Sequence, residues 1–317
     1  MIGWKNPYPS ALYKGPDISW DTSIPSIAYL LKWWNPLTWY RVRRLALVHD
    51  ILLFPHVTPF HAIPERVLSA GRVPTIGFVH NALPHERMPF QASFTRLALA
   101  HCNSLVAHDS TVVDALRHLG IKQDVFIAPM PALLSFPPTK PPTGPLNLLM
   151  FGTLRPYKGI ETAIRAASAL VKRGIEVQLT IVGKAWEPTE PYQRLIANLD
   201  LAGRVTLTDR YISDDELRHY VELSSMVLAP YTQDTLSAVV PTALASGRPV
   251  VASDVAGIRS QVLNGVNGVL VRPSDPSALA DGVVAVQANL AVLSSNAAGH
   301  AATWEDVARA VVKAAHP

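Results

Sequence analysis

The chain has 317 residues, 49% of them hydrophobic and 16% charged, which suits one large or two medium globular domains. A single cysteine, Cys102, excludes an intrachain disulfide framework, and no apolar run reaches the roughly 18–20 residues of a membrane span. The net charge of +4 and pI ≈ 9.2 point to anionic partners, yet no dense Lys/Arg stripe alternates with aromatics, so nucleic acid is not expected.

In chain order, the polar, proline-containing start from Met1 to Ser10 does not read as a secretory leader. With the cysteine usage, this makes the cytoplasm the expected compartment. Residues 23–48 read as partly helical. There Trp33 and Trp34, with Leu30, Leu31, Trp39 and Tyr40, precede Arg41, Arg43 and Arg44. That pattern fits an amphipathic helix packed on a core, or a peripheral contact with the inner face of a membrane. Strands are predicted at 51–54, 75–79, 104–107 and 124–127, and helices at 62–70, 90–102 and 110–119. Prolines 129, 131, 137, 138, 141, 142 and 145 then exclude a helix interior or central strand. They mark 136–145 as a linker between an N-terminal domain, 1–135, and a C-terminal domain, 146–317.

Beyond the linker, short apolar runs alternate with amphipathic helices, the pattern of a parallel α/β sheet. Strands are expected at 146–151, 177–182, 205–208, 226–229, 249–252 and 269–271. The helix predicted at 160–173 places Ile160, Ala163, Ile164, Ala167, Leu170 and Val171 on one face, with Gly174 at its end. Further helices are expected at 192–200, at 214–223 behind a Ser213/Glu216 capping box, at 238–245 closed by Gly247, and at 276–287 capped by Ser274. The closing helix near Thr303 is a candidate to cross back to the first domain.

Two constellations carry chemistry. The first is Gly152-Thr153-Leu154-Arg155-Pro156-Tyr157-Lys158-Gly159, between a strand and a predicted helix. Free N–H groups and the dipole of a helix N-terminus hold anions, and two cations there suit a diphosphate. No G-K-[ST] or G-x-G-x-x-G follows. The second is His80-Asn81-Ala82-Leu83-Pro84-His85-Glu86. His80 falls at the carboxyl end of a predicted strand, where open α/β sheets bind ligands. A backbone-satisfied histidine at a strand end fits as well. A zinc site from His80, His85 and Glu86 lacks further ligands, so no metal is expected.

Together these segments resemble a bacterial branch of the family 4 glycosyltransferases. The spacing Gly152, Arg155, Lys158, Gly159 is similar to that family's diphosphate site, and "HNALPHE" to its "HN-x-LPHE". "DILLFPHVTPF" (50–60) resembles its "DLLVLQWWHPF", with His56 and Val57 replacing the Trp pair. "SGRPVVASDVAGI" (246–258) and "TWEDVA" (303–308) also match. The resemblance implies two Rossmann-like doubly wound domains facing a cleft, the GT-B architecture. The first domain would hold the acceptor and the second a nucleotide-sugar donor. It implies that His80 contacts the transferred sugar, that Arg155 and Lys158 hold the diphosphate without a divalent metal or other cofactor, and that the anomeric configuration is retained. The base would pack near Tyr211 and Ile212, and Gly152 would border the donor.

The chain departs from that pattern twice. The family's paired glutamates, eight positions apart, become Asp234 and Thr242, so Thr242 stands where a carboxylate binds the ribose. Ser237-Ala238 resembles a variant of the branch, with Asp234 and Ser237 near the sugar or phosphates. Thr242 back-bonded within a buried helix is the competing reading. The opening strand, Gly-rich turn and helix of the resembling proteins are also not recognised at Met1-Ile2-Gly3-Trp4. An upstream start, a different pairing, or completion by another chain would account for that. The leading expectation is a retaining, metal-independent transferase moving a hexose from a nucleotide-diphosphate sugar to a glycan or lipid-linked acceptor. A non-catalytic partner subunit that binds a glycan or another transferase is the alternative. A sugar-nucleotide epimerase, with Glu86 as its one evident acid/base carboxylate, ranks below both.

Overall fold

The structure is a computed structural model that describes residues 52–54, 74–80, 91–100, 102–134, 136–233 and 236–316. Two parallel sheets organise these residues. The first contains β1 (Leu52–Phe54), β2 (Thr75–Val79), β3 (Ser104–Ala107) and β4 (Asp124–Ile127), hydrogen-bonded in that order. Helices α1 (Gln91–Leu99) and α2 (Ser110–His118) belong to this part, the latter capped by Asp109 on the Val112 N–H. Strand order follows chain order, so the described strands contain no reversal. The helix predicted at 62–70, the tryptophan-rich 23–48 segment and the expected missing opening unit lie outside the described residues.

The second sheet runs β10-β9-β8-β5-β6-β7. Its strands are β5 (Leu146–Phe151), β6 (Val177–Gly183), β7 (Val205–Asp209), β8 (Met226–Ala229), β9 (Val250–Ser253) and β10 (Gly268–Val271). Its helices are α3 (Ile160–Lys172), α4 (Glu190–Asn198), α5 (Asp214–Leu223), α6 (Val239–Ala245), α7 (Ala256–Arg259), α8 (Pro276–Ala288), α9 (Leu290–Gly299) and α10 (Trp304–Ala315).

Period-two geometry splits the core across β5. Leu146, Leu148 and Met150 join Ile164, Ala167, Leu170 and Val283 on one face, while Leu149 and Phe151 join Leu217, Val221, Val240 and Leu244 on the other. Both faces are covered by helices, so the strands read as continuous apolar runs. From β5 the chain winds through β6 to β7, then returns to β8 on the other side of β5. The order therefore reverses between β5 and β8, and loops leaving these two strands diverge at their carboxyl ends. That crevice is where doubly wound sheets bind ligands.

Helix α10 packs away from its own sheet. Val307, Ala310, Ala314 and Ala315 cover Ile76, Phe78, Val106 and Ala128, the face of the first sheet opposite the Leu99, Leu105 and Leu116 cluster. Thr303 and Asp306 form its capping box.

The Pro-rich segment before β5 is not a loose tether. Arg248, in the turn between α6 and β9, is fully buried. Its Nε donates to the Val221 carbonyl at 2.9 Å, and its Nη2 donates to the Glu222 carbonyl at 3.0 Å and to Thr139 Oγ1 at 2.6 Å. Its Nη1 donates to the Thr139 carbonyl. One guanidinium thus fastens the linker to the end of α5.

At one helix start the sequence misleads. Asp275, not Ser274, caps α8 by accepting from the Ala278 N–H, and Ser274 holds a left-handed φ of 58°. Pro276 occupies the first helical turn and fixes the cap one residue before it.

Candidate donor site at the strand-order reversal

The loop after β5 carries the two cations, but not at the start of a helix as the sequence suggests. Pro156–Lys158 is a separate 3₁₀ turn, and Gly159 follows it in the left-handed region (φ 73°) before α3 begins at Ile160. A Cβ at Gly159 would collide with the Pro230 carbonyl. The glycine therefore lets the β5 loop press against the β8 loop. The same logic joins Gly152 (φ 97°) to Gly183 (φ 148°), where a Cβ would meet the Gly152 carbonyl. Close approach here draws the loops of β5, β6 and β8 into one floor.

On that floor Lys158 is 9% exposed. Its Nζ donates to Tyr231 Oη at 2.5 Å, and Tyr231 Oη lies 2.7 Å from Ser237 Oγ. Ser237 Oγ accepts from the Val239 N–H, and Gln261 clasps the Ser237 backbone by accepting from its N–H and donating to its carbonyl. Among the described residues, no ion pair involves Lys158 or Arg155. Burial, with Arg155 adding to it and Tyr157 opposing it, pulls the Lys158 ammonium down to about 8. A cation held off water is costly, and an anion placed beside it would relieve that cost.

The cost has a measurable sign. Between pH 8 and 10.5 the unfolded chain holds this proton and the folded chain does not, so stability rises across that window. Below it the whole penalty applies, on the order of 3 kcal/mol. Lys158→Met is therefore expected to raise the melting temperature of the ligand-free protein at pH 7 by on the order of 5 °C, with the gain gone above pH 10.5. Scanning fluorimetry at the two pH values reads this directly, and a lowered melting temperature at pH 7 would contradict it.

Arg155 is half-buried, its guanidinium 4.0 Å from the ring centre of Trp186, which is itself 65% exposed on the β6 loop. Stacking fixes the plane of the guanidinium and leaves its N–H edges for an anion. Beside this floor opens a cleft of about 510 Å³ lined by Pro156, Gly159, Thr162, Tyr192, Thr232 and Ser274, among others.

The remaining expected site residues divide. Ser237 joins the Lys158 network, whereas Thr242 is 3% exposed inside α6, with Ser246 Oγ donating to its carbonyl. Tyr211 is 71% exposed and Ile212 packs on the core, both past β7 at the sheet edge. Asp234, Asn81, His85 and Glu86 lie outside the described residues. His80 follows β2 on the first sheet, where its Nδ1 meets Nε2 of His108 at 2.8 Å. Among the described residues no three His, Cys, Asp or Glu converge to hold a metal ion, and the zinc reading falls partly outside them.

Sequence reasoning missed Tyr231, Trp186, Gln261 and His108. The rule that pointed to His80, a polar residue just past a buried strand, applies equally to His108.

Residues 145–289 match the family model described as Glycosyl transferases group 1. The alpha-D-kanosaminyltransferase of Streptomyces kanamyceticus is 31% identical over 137 residues, 43% of this chain and 35% of that enzyme. The glycogen synthase of Mycobacterium tuberculosis is 26% identical over 284 residues, 86% of this chain and 62% of that enzyme. The chain thus spans about a third of the first relative's length. Among solved structures, Anabaena HepE in complex with UDP superposes with a TM-score of 0.71 at 19% identity, covering 87% of this chain and 81% of that one. Sucrose-phosphate synthase from Thermosynechococcus elongatus gives 0.68 at 19% identity, covering 86% and 75%. The reversed sheet order and these matches together give the chain a GT-B fold in which residues 145–289 are similar to the group 1 glycosyl transferases.

Proposed function

We propose that the protein is a retaining hexosyltransferase that takes a nucleotide-diphosphate sugar as donor and a glycan or lipid-linked hydroxyl as acceptor. One observation carries the proposal: Lys158 is a buried cation with no carboxylate partner among the described residues, at the point where the strand order reverses and with Arg155 on the same loop. Preorganised positive charge of this kind binds a diphosphate and stabilises the charge that develops on it as the sugar departs. Two fixed cations supply that stabilisation without a divalent metal. His80, on the other sheet, would meet the sugar. That HepE has been solved with UDP, and with UDP and glucose, supports a nucleotide donor for this chain as well. The proposed setting is cytoplasmic, with peripheral contact at the inner face of a membrane where the acceptor is lipid-linked.

The test is a thermal-shift titration of the full chain with UDP, GDP and ADP, with and without Mg²⁺, followed by transfer assays with the matching hexose donor. A binder of the native state alone raises the melting temperature by mass action, about 2.7 kcal/mol of stabilisation at 100 times Kd. The expected result is a Mg²⁺-independent shift for one nucleotide. Because Lys158 loses its proton near pH 8, that affinity is expected to fall as pH rises beyond 8. A folded protein that responds to none of the three would remove the transferase reading.

A second reading rests on Thr242. A buried hydroxyl stands where the family places a ribose-binding carboxylate. If binding is retained but no donor is turned over, the chain serves instead as a non-catalytic GT-B partner of a glycan or another transferase.

A further inference from the structure

Lys158 is held by a residue that does not neutralise it. Its Nζ lies 2.5 Å from Tyr231 Oη and 4.1 Å from the centre of the Tyr231 ring, with the centre of the Tyr157 ring 5.7 Å away. The two rings meet edge to face, their centres 6.0 Å apart. The other two Nζ hydrogens have no hydrogen-bond acceptor among the described residues.

The contacts around Tyr231 run in one direction. An ammonium has no lone pair, so Nζ donates and Oη accepts. Tyr231 is 1% exposed, and among the described residues its Oη has one other hydrogen-bond partner, Ser237 Oγ at 2.7 Å. A buried hydroxyl hydrogen left without an acceptor is costly, so the phenol donates to Ser237. Ser237 Oγ also accepts from the Val239 N–H at 3.2 Å. Gln261 fixes the Ser237 backbone, accepting from its N–H at 3.2 Å and donating to its carbonyl at 2.8 Å. Support therefore runs from Gln261, just past α7, through Ser237, just before α6, and Tyr231, in the β8 loop, to the cation of the β5 loop. Burial pushes the Tyr231 phenol above its ordinary value, with the Ser237 bond opposing it, so the phenol stays neutral.

We propose that Tyr231 is a positioning residue for Lys158, held in turn by Ser237 and Gln261: it fixes where the ammonium points and leaves the full positive charge for a phosphate oxygen of the ligand. That ligand rests on the nucleotide-sugar reading; the chain of contacts does not. A carboxylate in place of the phenol would also hold Nζ, but it would cancel the charge and repel the incoming anion. A neutral phenol supplies a lone pair and no charge. The same chain spends the accepting capacity of the Ser237 oxygen on support, through the Tyr231 hydroxyl and the Val239 N–H.

The experiment is a ¹H–¹³C correlation titration, from neutral to alkaline pH, of the full chain labelled with [ε-¹³C]lysine, the Lys158 signal being assigned by its loss in Lys158→Met. Hydrogen bonding to a charged form favours that form, so Tyr231→Phe is expected to lower the Lys158 midpoint below the wild-type value of about 8. Arg155 and Tyr157, which also face Nζ, are unchanged in that variant, so the difference belongs to the Tyr231 oxygen. Affinity at pH 7 for whichever of UDP, GDP and ADP binds is expected to fall on the order of 10-fold, and its decline with rising pH to begin at a lower pH. Ser237→Ala keeps the phenol but removes its acceptor. It is expected to give smaller shifts of the same sign, and it decides the question where Tyr231→Phe does not fold. An unmoved midpoint overturns the proposal, and so does a wild-type affinity beside a lowered midpoint. A lowered midpoint in a chain that binds none of the three nucleotides supports the contacts and rejects the nucleotide-sugar reading, so the two failures are distinguishable.

Discussion

Replacing both loop cations, as Arg155→Ala/Lys158→Ala, is expected to lower nucleoside-diphosphate affinity by on the order of 100- to 10,000-fold, because a hydrogen bond to a charged group contributes about 1.5–3 kcal/mol and two are lost. The fold should survive. The Arg155 guanidinium stacks on the exposed Trp186 ring, and Lys158 contributes a burial penalty that its removal relieves. Isothermal titration and the thermal-shift response of the double variant, alongside its own ligand-free melting curve, separate binding from folding. The single variants are expected to differ in stability. Lys158→Ala loses the hydrogen bond to Tyr231 but also the buried charge, and Arg155→Ala is close to neutral for folding. A double variant that keeps wild-type affinity would show that the anion binds elsewhere.

Arg248→Ala is expected to destabilise the protein by about 3 kcal/mol, because the carbonyls of Thr139, Val221 and Glu222 each lose a charged donor. Water entering the vacated space offsets part of that loss. Arg248→Lys should do little better, since a single ammonium cannot span the end of α5 and the linker as the guanidinium fork does. Urea unfolding reads the stability, and limited proteolysis reads the linker. Release of Thr139 should expose the 128–145 segment to cleavage well before the β5 to β10 sheet unfolds. A variant with wild-type stability and an uncut linker would show that the clasp is not what holds the segment down.

These two tests bear on different parts of the sequence in different ways. The cations were legible because they break a local rule: Arg155 and Lys158 stand where a following helix dipole disfavours them, and a glycine on either side marks a tight turn. Helices α7 and α9 were not legible. The first is a single turn, and the second, Leu290–Gly299, is apolar nearly all round, so it lacks the periodic face that announces a helix. Arg248 reads in sequence as an ordinary turn residue after Gly247, and nothing nearby reveals that it is fully buried.

What the sequence determines by itself is whatever depends on neighbours a few residues apart. Thr75–Val79, Ser104–Ala107, Asp124–Ile127, Leu146–Phe151 and Met226–Ala229 are strands because short apolar runs between breakers cannot be satisfied otherwise, and Ser213 with Glu216 caps α5 within one turn. Tertiary structure decides every contact that gives those elements a purpose. Lys158 meets Tyr231, His80 meets His108, and Arg248 meets Thr139 across 73, 28 and 109 residues. Each pairing is set by strand order, which parallel crossovers leave open until the whole sheet has assembled. That is why the cations of the loop were visible in the chain, and the burial of Lys158 was not.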